Sequence, residues 1–207
     1  MNPEHEARQF WEAQYQKRAK PWTGRPNAIL GRFAAALTPG TALDLGCGEG
    51  NSAVWLAEQG WQVTGADISA TALERAARHA EDAGVSERTR FETHDLSQSF
   101  PAGQFELVYA LYLESPVNFP RAQVLRRAAD AVAPGGLLLI VLHGSVAPWS
   151  WNQNAVFPTA QQVLDGLGLK LEGWHTDFLG APERELTGPG GKAAMVRDIV
   201  IALEKQP

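Results

Sequence analysis

The sequence predicts an α/β fold: a mostly parallel sheet with helices on both faces. Three observations carry that prediction. The stretch Thr41-Ala-Leu-Asp-Leu-Gly-Cys-Gly-Glu-Gly-Asn51 reads as strand, glycine turn and helix. Ala42, Leu43 and Leu45 end a buried strand, and Gly46, Gly48 and Gly50 permit a turn that side chains forbid. Ala53, Val54, Leu56 and Ala57 then recur at helical spacing. Leu137 to Leu142 is almost wholly apolar, as a central strand covered on both faces should be. Between these landmarks, short apolar runs alternate with segments of helical period, the pattern of repeated strand–helix units.

The elements follow in order. Residues 3–18 form a helix with Ala7, Phe10, Trp11 and Tyr15 on one face and Glu4, Glu6, Glu12 and Lys17 available for the other. Lys20 to Asn27, with two prolines and a glycine, is a loop. Trp22 within it either packs as a cap on the core or covers a ligand pocket. Ile29, Leu30, Phe33, Ala34 and Leu37 give a second helix that Pro39-Gly40 ends. Trp61 to Asp67 is the second strand. A helix over 70–83, capped by Ser69, buries Ala72, Leu73, Ala76, Ala77 and Ala80 and turns His79 to solvent. Thr89–Asp95 and Gln104–Leu111 are the third and fourth strands. Pro120 opens a helix with Val124, Leu125, Ala128, Ala129 and Val132 inward. Pro134-Gly-Gly136 turns into the fifth strand. Thr159 with Gln162 makes a capping box. Segments 169–177 and 194–203 are the last two strands, joined through the loop Gly188-Pro-Gly-Gly191.

Composition narrows the function classes. At 207 residues the chain suits one domain. A formal net charge of −5 and the lack of any basic run disfavour a duplex nucleic-acid partner. Cys47 is the single cysteine, so neither an internal disulfide nor a cysteine zinc cluster is expected, and no metal site is assigned. The N-terminus lacks a signal pattern, and Leu137–Leu142 is too short to cross a bilayer. A cytoplasmic protein without a membrane partner is expected.

The glycine loop is the chemical signature. It lacks the Gly-Lys-Ser/Thr ending of a phosphate loop, and Asn51 stands where a dinucleotide loop carries its third glycine. Asp44 at the end of the preceding strand would repel a pyrophosphate and suits a cationic ligand. Asp67, about 20 positions past the loop, suits a ribose, whose two hydroxyls one carboxylate can accept. Helix capping is the other reading of Asp67, but Ser69 is the better cap.

With Asp44-x-Gly46-x-Gly48-x-Gly50, the chain resembles the class I S-adenosylmethionine-dependent methyltransferases, whose first motif is D/E-x-G-x-G-x-G. The helix, Trp22 and loop ahead of the first strand are similar to those of thiopurine- and tellurite-type members, where this segment closes over cofactor and acceptor. The resemblance implies a Rossmann-like seven-stranded sheet of order 3-2-1-4-5-7-6 with strand 7 antiparallel. It implies one domain, with 1–38 a helical cap and 39–207 the core. It also implies an S-adenosylmethionine site drawn from Trp22, Asp44, Gly46, Cys47, Gly48, Asn51, Asp67, Ile68, Asp95, Leu96 and Ala110. Ile68 and Leu96 would pack on the adenine, Asp95 would accept from its amino group, and Ala110 and Leu111 would face the cofactor. For Asp95 a turn-forming role is the alternative.

Tyr112, Glu114 and Ser115 begin the loop where acceptors dock in that family, and His143 ends the fifth strand on the same side. Each can also be an ordinary polar residue of a loop or strand end. Pro148, Trp149, Trp151 and Asn152 can line an acceptor pocket or shield a sheet edge. Ala110-Leu-Tyr-Leu113 replaces the motif of nucleobase amino methylases, and no cysteine is placed for C5-pyrimidine chemistry. The expectation is methyl transfer from S-adenosylmethionine to a small molecule: a thiol, oxyanion, hydroxyl or amine. A protein or RNA methyltransferase, or a non-catalytic cofactor sensor, is the alternative, with the chain a monomer or homodimer. No catalytic residue is assigned. For a hydroxyl or amine acceptor, Tyr112 and His143 are the first to test.

Overall fold

The structure is a computed structural model that describes residues 3–17, 26–150 and 152–207. Trp22 and Trp151 lie outside the described residues. The helices are α1 (Pro3–Lys17), α2 (Ala28–Ala34), α3 (Asn51–Glu58), α4 (Ala70–Asp82), α5 (Arg121–Asp130) and α6 (Ala160–Leu167). The strands are β1 (Thr41–Leu45), β2 (Gln62–Asp67), β3 (Thr89–Thr93), β4 (Phe105–Leu111), β5 (Val132–His143), β6 (Trp174–Gly180), β7 (Glu183–Thr187) and β8 (Ala193–Lys205).

The sheet runs β3-β2-β1-β4-β5-β8-β6, with β7 paired to β8 off that path. The first five strands are mutually parallel, and β8 inserts antiparallel between β5 and β6. This is the predicted order with one strand added. Glu183–Thr187 pairs with the first half of β8, so β8 counts as the seventh strand of the expected scheme.

Strand periodicity divides the core into two layers. Along β5, Leu138, Ile140 and Leu142 face α5 and α6 residues such as Val124, Leu125 and Leu164. Leu137, Leu139 and Val141 face Leu30 of α2 and Val54 and Leu56 of α3. Each of these strand residues is at most 3% exposed. Burying a side chain of this size contributes about 1.5–3 kcal/mol relative to leaving it in water. The sheet is therefore anchored from both faces, and its carboxyl edge is left to hold a site.

Local chemistry sets the helix ends. Ser69 caps α4 by accepting from the Ala72 amide, and the capping box of Thr159 and Gln162 starts α6. Several boundaries differ from expectation. The second helix stops at Ala34, and the chain reaches Leu37 through a turn. The third strand ends at Thr93, which leaves Asp95 in the following turn. The strand expected from Leu169 begins at Trp174. On α4, Ala77 is exposed because a 13-residue helix packed on one side cannot bury both flanks of its apolar stripe.

Candidate functional site

A cavity of about 370 Å³ opens at the carboxyl ends of β1, β2, β3 and β4. Its floor includes Gly46, Asp67, Ile68, Asp95 and Leu96, and Ala7, Trp11 and Tyr15 of α1 cover it. Tyr112, Leu113, Glu114, Ser115 and Phe119 form the far wall, on the segment between β4 and α5. The size and the mix of apolar and polar walls are those of a small-ligand site. Its place, outside the carboxyl ends of parallel strands, is where open α/β sheets bind ligands.

The glycine loop is built around the end of β2. The Gly46 and Cys47 amides both donate to Ala66 O, at 2.8 and 3.0 Å, and the Gly50 amide donates to Cys47 O. The Gly48 amide donates to Asp67 Oδ2 at 2.9 Å, and the Ser69 amide donates to Asp67 Oδ1 at 2.9 Å. Gly46, Gly48 and Gly50 all have positive φ. A Cβ on Gly46 would come within 2.7 Å of Leu113 Cδ1, and one on Gly48 within 2.8 Å of the Tyr15 hydroxyl. The loop thus brings bare backbone to the cavity while its Gly46, Cys47, Gly48 and Gly50 amides are engaged inside the protein. That suits a ligand carrying an ammonium better than one carrying a phosphate.

The predicted donor-site residues divide into two groups. Gly46, Asp67, Ile68, Asp95 and Leu96 line the cavity. Asp44, Cys47, Gly48, Asn51 and Ala110 do not. Ala110 is fully buried in the core, and Gly48 is covered by Tyr15. Asp95 makes a local turn, its Oδ1 accepting from the Ser97 amide at 3.0 Å and the Ser97 hydroxyl at 2.6 Å. The loop aromatic Trp149 also falls elsewhere. Trp149 lies against Gly188, where a Cβ would meet the indole at 2.3 Å, and it shields that loop instead of lining the cavity.

Carboxylates dominate the electrostatics. Asp44, only 3% exposed, has its pKa pushed up to about 7, by burial first and then by the nearby charge of Asp67. The Tyr109 hydroxyl, opposite Asp44 across β1 and β4, pulls the value down. It acts from beyond ordinary bonding geometry, since its oxygen has no partner among the described residues. Burial also raises the Asp67 carboxyl, against the pull of the Ser69, Gly48 and Ile68 amides. The Tyr15 hydroxyl is raised by burial and by the surrounding negative groups, Asp67 first. The described lining residues include three acids, Asp67, Asp95 and Glu114, and no Lys or Arg. A positively charged ligand fits such a chamber.

The helix α1 carries signals that periodicity alone misassigned. Glu12, expected on the wet face, accepts from the Ser69 hydroxyl at 2.7 Å and from the Thr71 hydroxyl. The Trp11 indole N–H donates to the Ser115 hydroxyl at 3.3 Å. Helix α1 therefore spans the cleft from the start of α4 to the loop after β4. His79, also read as solvated, is partly buried, with Nδ1 2.9 Å from Glu49 O. His94 lines the cavity but is engaged by Glu92 and Ser99.

A second polar cluster lies behind the far wall. Tyr112, at φ +54, donates its hydroxyl to Asp198 Oδ2 at 2.8 Å, and Arg184 pairs with the same carboxylate. The His143 ring stacks on Tyr112 at 4.4 Å, and its Nδ1 hydrogen bonds to Glu114. Arg184 sits on β7, and nothing in the sequence connects it to Asp198.

Comparison with known proteins agrees with this geometry. Residues 42–136 match the sequence profile of a methyltransferase domain. Over 101 residues the chain is 40% identical to the 27-O-demethylrifamycin SV methyltransferase of Amycolatopsis mediterranei, covering 47% of this chain and 36% of that protein. Over 112 residues it is 37% identical to the ubiquinone biosynthesis O-methyltransferase of Serratia proteamaculans, covering 54% of this chain and 46% of that protein. The chain thus spans less than half the length of these relatives. The magnesium protoporphyrin IX methyltransferase of Synechocystis, solved with bound S-adenosylmethionine, superposes with a TM-score of 0.67 at 16% identity. That superposition covers 100% of this chain and 98% of the other. Residues 42–136 are thus similar to a methyltransferase domain, and the strand order is that of the methyltransferase fold.

Proposed function

We propose that this protein transfers the methyl group of S-adenosylmethionine to a small-molecule acceptor. The observation that carries the reading is the acid-lined cavity at the carboxyl edge of β1, β2 and β4, floored by bare backbone at Gly46. A sulfonium ligand with an ammonium group complements it. Asp67 would hold the ribose hydroxyls, Ile68 and Leu96 would sandwich the adenine, and Asp95 would accept from its amino group. Gly46, with Asp44 beneath it, would receive the methionyl end. The donor supplies an activated methyl, so the chain's work is to hold an acceptor in line with it. Helix α1, pinned at Glu12 and Trp11, would keep water from the aligned pair.

A small acceptor is favoured because the far wall is partly aromatic, with Tyr112 and Phe119, beneath the cover of Trp11. The relatives named for O-methyl transfer support that class. The narrower likeness to thiopurine- and tellurite-type enzymes rests on the segment around Trp22, outside the described residues.

The test has two parts. Calorimetry should show S-adenosylhomocysteine binding, and mass-shift screening against thiols, phenols, alcohols, amines and oxyanions should show a 14 Da gain on at least one class. Binding without any transfer would instead support a cofactor sensor. Labelled methyl found only on lysate macromolecules would support the protein or RNA alternative.

A further inference from the structure

We infer that Glu114 is the proton acceptor for a hydroxyl-bearing acceptor, with His143 and Tyr112 as its positioning residues. The inference rests on the methyl-transfer reading above and specifies its acceptor class. Glu114 is placed where an acceptor would enter. It walls the main cavity and also a second, more open depression, and it shares Ser115, Phe119, Pro120 and Gln123 with both. Among the described residues it is the one acid of the cavity that the donor residues leave unassigned, since Asp67 and Asp95 lie at or just past the ends of β2 and β3.

Its carboxylate is held from behind. Oε2 hydrogen bonds to His143 Nδ1, and Arg121 lies 3.5 Å from Oε1. A carboxylate has about four lone-pair sites, so both contacts leave room for a third partner. The His143 ring is itself fixed by stacking on Tyr112, whose hydroxyl is tied to the buried Asp198. The train Asp198–Tyr112–His143–Glu114 runs from the core to the cavity rim. Tyr112 has a positive φ, which a bulky residue adopts only where surrounding contacts enforce it. This changes the roles expected for the loop. The Tyr112 hydroxyl is committed to Asp198, and His143 is not part of the cavity wall.

The chemistry balances simply. The acceptor oxygen forms a bond to the methyl carbon, the carbon–sulfur bond breaks, and its electron pair leaves with sulfur as a neutral thioether. The acceptor O–H proton passes to Glu114 and then to water through the outer depression. A neutral hydroxyl needs this step. An acceptor that is already ionised does not.

The test is a series of phenols of graded acidity, with simple alcohols and thiols, assayed by mass shift for wild type, Glu114→Gln, Glu114→Asp and His143→Gln. Wild type should methylate hydroxyl acceptors. Glu114→Gln should slow the least acidic phenols by at least about 100-fold. It should leave phenols already ionised at the assay pH within about threefold, with S-adenosylhomocysteine affinity unchanged. Glu114→Asp should recover part of the loss, and His143→Gln should show a weaker version of the same dependence on acidity. A uniform loss across the series, no loss, or wild-type transfer confined to thiols, amines or oxyanions would overturn the inference. Failure to bind S-adenosylhomocysteine would sink the methyl-transfer reading itself. Intact binding without hydroxyl transfer sinks this inference alone.

Discussion

The Gly48 amide and the Asp67 carboxylate are joined at 2.9 Å, so the turn of the glycine loop and the end of β2 form one hydrogen-bonded unit. A carboxylate in that position has two duties. It holds the loop, and its cavity-facing side is available to a ligand. Asp67→Ala should abolish S-adenosylhomocysteine binding by calorimetry and also leave the Gly48 and Ser69 amides without acceptors, at about 1–3 kcal/mol each where they stay dry. Asp67→Asn separates the duties. It should keep the fold within about 2 kcal/mol in urea unfolding and still weaken binding at least tenfold. Unchanged affinity in Asp67→Asn would refute the ribose role.

The buried Asp44 makes both stability and binding depend on pH. Its folded pKa, about 7, lies above the ordinary 3.8, so the native state binds more protons than the unfolded chain between those values. Stability should therefore fall as pH rises from about 4 to about 7. The raised Asp67 adds to the same trend. Asp44→Asn should flatten the slope, measured by urea midpoints at several pH values. A cationic ligand favours the ionised carboxylate, so S-adenosylmethionine should bind more tightly as pH rises through about 7, with proton release. Calorimetry in buffers of different ionisation enthalpy reads that release directly.

Gly50 is where the loop meets the next helix. Its φ is +82, and a Cβ would lie 2.8 Å from Ala76 Cβ and 3.2 Å from Ala76 Cα. Neither α4 backbone nor a methyl can swing away. Gly50→Ala should cost about 1–2 kcal/mol for the left-handed conformation alone, with more from the displaced helix. Gly84→Ala is the control, because φ is again positive at +69 but nothing lies within 4 Å. The difference between the two thermal midpoints isolates the packing contribution.

Much of the fold was legible because it rests on local signals. The glycine loop, the apolar period of α3 and the run Leu137–Leu142 each follow from short-range chemistry, and the strand order followed from the resemblance they carried. The floor of the cavity was legible in outline for the same reason: Asp67, Ile68, Asp95 and Leu96 all end strands or begin the turns after them. What stayed hidden depends on pairing between distant segments. Arg184 looks like any alternating strand residue until β7 folds onto β8 beside Asp198. Glu12 reads as solvated until α1 crosses onto α4. Ala110 lies near the end of β4, beside the cavity, yet alternation sends it into the core.

The Arg184–Asp198 pair is one such long-range feature with a measurable consequence. Asp198 is 1% exposed and its Oδ1 has no partner among the described residues, so Arg184 and Tyr112 carry its charge. Arg184→Met should destabilise the protein by roughly 2–3 kcal/mol, less than a fully buried pair because the guanidinium is partly exposed. Adding Asp198→Asn should recover more than half of that loss, since the stranded charge is then gone. A double-mutant cycle by urea unfolding checks the coupling.

Glu12 makes the closure of α1 sensitive to acid. The Thr71 hydroxyl, helped by the Ser69 hydroxyl, holds its carboxyl below the ordinary 4.5 against the opposing effect of burial, which is second in size to Thr71. A depressed folded pKa contributes stability that is present above 4.5 and is lost as pH falls through the folded value. The effect is local, because Glu12 ties only α1 to the start of α4. Amide exchange in residues 7–17 should therefore accelerate below pH 4.5 while the strands stay protected. Glu12→Gln keeps one acceptor for Ser69 or Thr71 but removes the titration. Its exchange in α1 should be faster at neutral pH and nearly independent of pH once corrected for intrinsic chemistry. If wild type and Glu12→Gln show the same pH dependence, the contact between Glu12 and Ser69 and Thr71 does not hold the helix closed.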